Sequence, residues 1–109
     1  LKDNKQNITE KYFNYYKQSK PGEPVGKFKS TKRLNVNKVA NTLTCSGAAY
    51  HHSIPRQINY QEYCSIGSWP QDYDFLDIKY RYIIGMSVPP VMMAQVAHQV
   101  YEQLIKENV

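Results

Sequence analysis

The side chains of this 109-residue chain that could carry covalent, metal or acid–base chemistry are two cysteines, three histidines and nine acids. Their spacing argues against each of these chemistries. Cys45 and Cys64 form no Cys-x-x-Cys pair and match no zinc spacing, so they read as reduced, structural thiols. His51 and His52 are adjacent, which would turn them to opposite sides of a strand, and no Cys or carboxylate ligand lies at the usual spacing. They read as polar loop histidines, with contact to a phosphate or a base edge as the second reading. The acids are scattered, so spacing proposes no general acid–base pair. There is no Gly-x-Gly-x-x-Gly, no P-loop and no His-Glu-x-x-His. What remains is binding chemistry. Lys20, Lys27, Lys29, Lys32 and Arg33 crowd one stretch with a single acid, Glu23. Two readings stay open there, a solvated basic loop or a set of phosphate contacts that would position the chain on a duplex. The net charge of +5, the pI of about 9.2 and the ten tyrosines tilt toward a polyanionic partner, nucleic acid first.

A second stretch with site character is Gly85-Met86-Ser87-Val88-Pro89-Pro90. Proline has a fixed φ and no N–H to lose, which suits the first turn of a helix. Ser87 is expected to cap that turn, and Gly85 to permit unusual backbone angles or a close approach. The stretch reads as a tight turn feeding a helix N-terminus, where polar ligands are often held.

The elements that must position these residues follow from local patterns. Asn7 and Glu10 have capping-box spacing, and Tyr12, Phe13 and Tyr16 recur at helical spacing, so a helix is expected to end by Ser19 before Pro21-Gly22. Lys32–Ser46 looks β-like, with Leu34 and Val36 alternating with polar residues. Ser46-Gly47-Ala48-Ala49 is a small-residue loop closed by Tyr50-His51-His52. Asn59 and Glu62 form a second capping box, opening a short helix that Gly67 ends. Arg56, just before that cap, is expected to pair with Glu62 or an acid of the following loop, with contact to DNA as the second reading. Trp69–Phe75 reads as a compact aromatic loop. From about Pro89 to Lys106, Met92, Met93, Val96, Ala97, Val100, Tyr101, Leu104 and Ile105 make an apolar helical face. The fold class is therefore α+β: a small partial domain with a few short strands, a short middle helix and a long C-terminal amphipathic helix. No apolar run reaches transmembrane length, so no membrane partner is expected.

Here specific segments resemble a known family. Arg56-Gln57-Ile58-Asn59-Tyr60-Gln61-Glu62 resembles the Arg-x-Leu-Thr-x-x-Glu segment, motif IX, of DNA cytosine-5 methyltransferases of bacterial and phage type. Trp69-Pro70 falls eight residues after Glu62, as the family's aromatic-Pro pair does, and Asp72-Tyr73 follows. Gly85-Met86-Ser87-Val88-Pro89-Pro90 looks like the family's Gly-Asn-Ser-Val-Pro, motif X. Lys38–Thr44 resembles the Pro-x-Thr-Leu/Ile pattern closing the target recognition region. The resemblance spans about residues 25 to 107. It departs at Met86, where the family usually has Asn, and at Asn59, where Thr is usual but the capping role survives.

The resemblance implies methyl transfer from S-adenosylmethionine to C5 of a cytosine flipped out of double-stranded DNA. The family's Pro-Cys nucleophile, supporting Glu and Gly-rich cofactor loop are absent here, since Cys45 and Cys64 each follow Thr or Tyr. The chain is thus expected to be the C-terminal part of such an enzyme, inactive alone, cytoplasmic, and partnered by a missing N-terminal catalytic segment. Its divisions are expected at 1–24 (helix and linker), 25–75 (end of the recognition region with motif IX) and 76–109 (motif X and the terminal helix). By the same resemblance Gly85, Met86, Ser87 and Val88 would border the cofactor pocket. Thr42 and Leu43 would lie near the DNA, Arg56 and Glu62 would organise the recognition region, and Lys29, Lys32, Arg33, Ser46, Gly47, Tyr50 and His51 are further candidates for phosphates or base edges. The alternative is a stand-alone, non-catalytic DNA-binding module of the same descent. A purely structural interaction domain would show no DNA affinity even at low salt.

Overall fold

The computed structural model describes residues 8–45 and 49–108. In chain order these form helix α1 (Glu10–Gln18), strand β1 (Lys32–Arg33), strand β2 (Ala49–Tyr50), and helices α2 (Tyr60–Gly67), α3 (Tyr80–Met86) and α4 (Pro90–Val100). A π-helical turn, Tyr101–Ile105, and a 3-10 turn, Lys106–Asn108, continue α4. The α+β class, the short middle helix and the long terminal helix agree with the sequence expectation.

Helix α1 stops where expected, with Ser19 in extended conformation after Gln18. Its first turn differs: Thr9 stands at the N-cap with no side-chain cap, and Asn7 lies outside the described residues. Aromatic packing on β2 holds α1 in place. Tyr16, Val25 and Tyr50 form a small buried cluster flanked by Ile8, Tyr12 and Tyr15.

The β-like reading of Lys32–Ser46 is corrected. Among its described residues only Lys32 and Arg33 make a strand, pairing in parallel with Ala49 and Tyr50. Alternation there does not track burial, since Val36 and Val39 are 73% and 95% exposed while Leu34 and Leu43 pack on the main core. Upstream, Gly22–Arg33 folds into an irregular hairpin, closed by Gly22 N–H to Arg33 O (2.7 Å), Arg33 N–H to Glu23 O (3.0 Å) and Val25 N–H to Thr31 O (2.7 Å).

The main core is Ile58, Tyr63, Cys64, Phe75 and Ile84, so α2, the aromatic loop and α3 converge on one point. Lys79–Ile84, a basic aromatic run in sequence, is mostly the body of α3. Helix α4 joins neither core and buries no residue. The chain is accordingly elongated, 61 × 30 × 20 Å. Its radius of gyration is 17.1 Å, against about 13 Å for a compact chain of this length. Among the described residues no helix is long and apolar enough to cross a membrane.

Candidate cofactor wall and nucleic-acid face

The site grows from the cap of α2. Asn59 accepts from Glu62 N–H (2.9 Å), and the Glu62 carboxylate accepts from Asn59 N–H (2.8 Å), completing the expected capping box. The same carboxylate takes both arms of the Arg56 guanidinium, each at 2.8 Å. That guanidinium also donates to Gln57 O at 3.0 Å. The hydrogen bonds from Arg56 hold the Glu62 carboxyl below the usual carboxylate range. Arg56 is therefore used structurally, as a fork matched to a carboxylate.

At the other end of α2, Gly67 is the last helical residue and Ser68 takes the left-handed conformation, φ 57°. Gly67 has a different use from the stop signal expected of it. A Cβ there would lie 2.9 Å from Ile84 Cγ2 and 3.2 Å from Trp69 Cδ1, so its bareness lets α2 and α3 meet. Trp69 then folds back, donating its indole N–H to Ser87 Oγ at 3.1 Å. Its ring packs on Tyr73 and Phe75.

The Gly85–Pro90 turn is built differently from its sequence reading. Gly85 lies inside α3, and its value is the close approach: a Cβ would collide with the backbone of Thr44 and Cys45. Ser87 ends α3 and does not cap α4. Its hydroxyl donates to Ile84 O (3.0 Å) while accepting from Trp69. The cap of α4 comes instead from a distant residue, as Val91 N–H donates to Ser68 Oγ at 3.2 Å. Pro89, in the N-cap position, has no side chain able to do this. Sequence patterns missed Ser68 and the Trp69–Ser87 bond because both join residues about twenty positions apart. The one available signal was the indole N–H, which needs a partner when half-buried. Of the four candidate cofactor residues, Met86 and Val88 present open side chains, 65% and 49% exposed, while Gly85 and Ser87 set the backbone between them.

The candidate nucleic-acid residues divide by what the fold does with them. Lys32, Thr42 and Leu43 come together, lining one shallow recess with Ser30, Asn41, Thr44, Ala49 and Tyr63. Lys29 is exposed beside it in sequence. Arg33 is used internally: Nε donates to His52 O and Nη1 to Ser19 O, both at 2.8 Å, over the Tyr16 ring. Tyr50 is 3% exposed and presents no surface. Ser46 and Gly47 lie outside the described residues.

His51 is likewise tied in. Its Nδ1 accepts from the N–H groups of Ser53 (3.2 Å) and Ile54 (3.1 Å), which leaves the proton of the neutral ring on Nε2, 3.8 Å from Glu62 Oε1. Burial, then His52 and Arg56, push its pKa down, against a smaller upward pull from Glu62. The folded ring is thus harder to protonate than the unfolded one, whose ordinary value is 6.5. Stability is unaffected by His51 well above that value, falls as the pH drops through it, and bears the whole cost below the depressed folded value. Nitrogen-15 NMR should find His51 as the Nε2–H tautomer, titrating below the ordinary imidazole range; a His51 midpoint at or above 6.5 would contradict the geometry.

Comparison with known proteins finds a similarity to a methyltransferase. The chain is similar to the Type II methyltransferase M.XorII of Xanthomonas oryzae pv. oryzae (strain KACC10331 / KXO85). The two are 31% identical over 97 residues, covering 78% of this chain and 22% of that protein. The chain thus spans about a fifth of the length of that relative. No protein-family model matches the chain, and no solved structure matches it.

Proposed function

We propose that this chain is the C-terminal part of a DNA cytosine-5 methyltransferase, which moves a methyl group from S-adenosylmethionine to C5 of a cytosine flipped out of the duplex. Its share of the work is to end the DNA recognition region and to supply one wall of the cofactor pocket. The observation that carries this reading is the interlock of the two motif-like segments: the Arg56–Glu62 unit leads through α2 to Trp69, whose indole is bonded to Ser87. Met86 and Val88 would line the cofactor wall by apolar contact, and Ser87 would act by fixing the turn. The Met86 side chain cannot provide the hydrogen bond an Asn amide would, so backbone groups and the missing segment must supply polar recognition of the cofactor. The Lys32–Thr42–Leu43 recess and Lys29 would face the DNA. The chemistry itself, a thiolate adding to C6 of the base, belongs to residues this chain does not contain.

The exposed apolar row of α4 favours this reading over a stand-alone DNA-binding module. Val91, Met92, Val96 and Val100 are each 43–57% exposed, an apolar row that a further part of the same protein would cover. The test is methyl transfer by the intact protein, with labelled S-adenosylmethionine and duplex DNA, followed by digestion to nucleosides. The expected product is 5-methyldeoxycytidine, and the isolated chain should transfer nothing. Label in N4-methyldeoxycytidine or N6-methyldeoxyadenosine would refute the cytosine-5 assignment, and transfer by the isolated chain would refute the division of labour.

A further inference from the structure

The tip of the Gly22–Arg33 hairpin holds a residue that neither core uses. Phe28 is 69% exposed and lies between Lys27 and Lys29, both exposed. A single exposed aromatic is common; what sets this one apart is how its loop is held. Val25, 1% exposed, anchors one arm in the small core and bonds Thr31 across the hairpin. Thr31 N–H donates to Phe28 O at 3.2 Å, closing the tip. Gly26 turns the chain at φ +88°, against the ring of Tyr15. The nearest acid in sequence, Glu23, is engaged at the base of the hairpin by Lys20 N–H at 2.9 Å. The result is a cationic tip with one aromatic ring held outward, and Lys32 on the same hairpin enters the recess with Thr42.

We propose that Phe28 is a nucleic-acid wedge: its ring stacks on a base or enters a base step, while Lys27 and Lys29 take the flanking phosphates. This rests on the reading that the protein acts on duplex DNA. Lysines supply the polyanion contact, whose strength depends on salt, and an aromatic face supplies stacking, whose strength does not. Inserted apolar side chains favour steps whose stacking is already weakened.

The test measures binding of the intact protein to a fluorescein-labelled mixed-sequence duplex, with and without one abasic site, over a range of salt. Phe28→Ala should weaken binding roughly tenfold or more and abolish preference for the abasic duplex, leaving the slope of log K against log salt unchanged. Phe28→Trp should restore both. Lys27→Ala with Lys29→Ala should instead flatten that slope, by up to about 2. Steep, salt-dependent binding by the native protein with Phe28→Ala within twofold of it overturns the wedge and leaves the DNA reading standing. No duplex binding at low salt overturns both. Loss of binding to anionic phosphatidylserine vesicles in Phe28→Ala, with duplex binding unchanged, assigns the tip to a lipid surface and also overturns the wedge.

Discussion

Gly85→Ala is expected to destabilise the protein by about 2 kcal/mol or more, a larger effect than the same change at Gly67. Two contributions oppose each other. Gly85 sits in α3, where alanine would be favoured by about 1 kcal/mol from helix propensity. Against that, the added Cβ would stand 2.7 Å from Cys45 Cα and closer still to Cys45 N and Thr44 C, which are backbone atoms and cannot swing aside as a side chain would. Overpacking costs typically about 1–3 kcal/mol, and an immovable neighbour puts this site at or above the top of that range. The strain must separate α3 from the Thr44–Cys45 segment. That segment carries Thr42 and Leu43 into the recess with Lys32, so the proposed DNA face and cofactor wall would lose their common frame. Urea unfolding should show a lower midpoint with an unchanged m-value. Gly67→Ala is the calibrating variant: its Cβ meets the Ile84 methyl and the Trp69 ring, which can yield, so its loss should be smaller. Equal stability of Gly85→Ala and the native protein would mean that the approach of α3 to Cys45 is not rigid.

These two glycines show what local patterns could and could not reveal. The α2 capping box was legible because both partners lie within one helical turn, and the end of α1 because Pro21-Gly22 forbids continuation. Gly85 was legible as a site of close approach, but what approaches it lies forty residues upstream in sequence. The strand reading of Lys32–Ser46 failed for the same reason. Leu34 and Leu43 are partly buried by long-range packing on the α2–α3 core, so a period-two pattern there described no surface. Ser87 was misassigned because Ser followed by Val-Pro-Pro looks like a cap, whereas Trp69 and Ile84 already use its hydroxyl. The terminal helix was legible as amphipathic from its own period, yet nothing in that period says which surface covers it, and none of the described residues buries α4. The candidate site is thus readable at the α2 cap and the Arg56–Glu62 pair, which are local, and not at the Trp69–Ser87 and Ser68–Val91 bonds that join α2 to the following elements, which are long-range.

Glu62→Ala is expected to cost about 2 kcal/mol at neutral pH, and the loss should vanish in acid. One carboxylate does two jobs: it closes the α2 cap through Asn59 N–H and it takes the Arg56 fork. Loss of a cap costs about 1 kcal/mol, and hydrogen bonds to charged groups contribute about 1.5–3 kcal/mol. The pair is not fully dry, with side chains 29% and 30% exposed, so solvent screening brings the expected loss just under the bottom of the summed range. The pH dependence separates charge from packing. Glu62 titrates below its ordinary 4.5 because Arg56 bonds its ionised form, so its stabilisation is complete above that value and disappears as the pH falls through the depressed folded one. Native and variant unfolding free energies should therefore differ fully at pH 7 and converge in strong acid. Glu62→Gln keeps an acceptor for Asn59 N–H and should recover part of the loss, while Arg56→Ala combined with Glu62→Ala should cost less than the sum of the two. A difference that persists unchanged into strong acid would assign the role of Glu62 to its methylenes and not to the Arg56 fork.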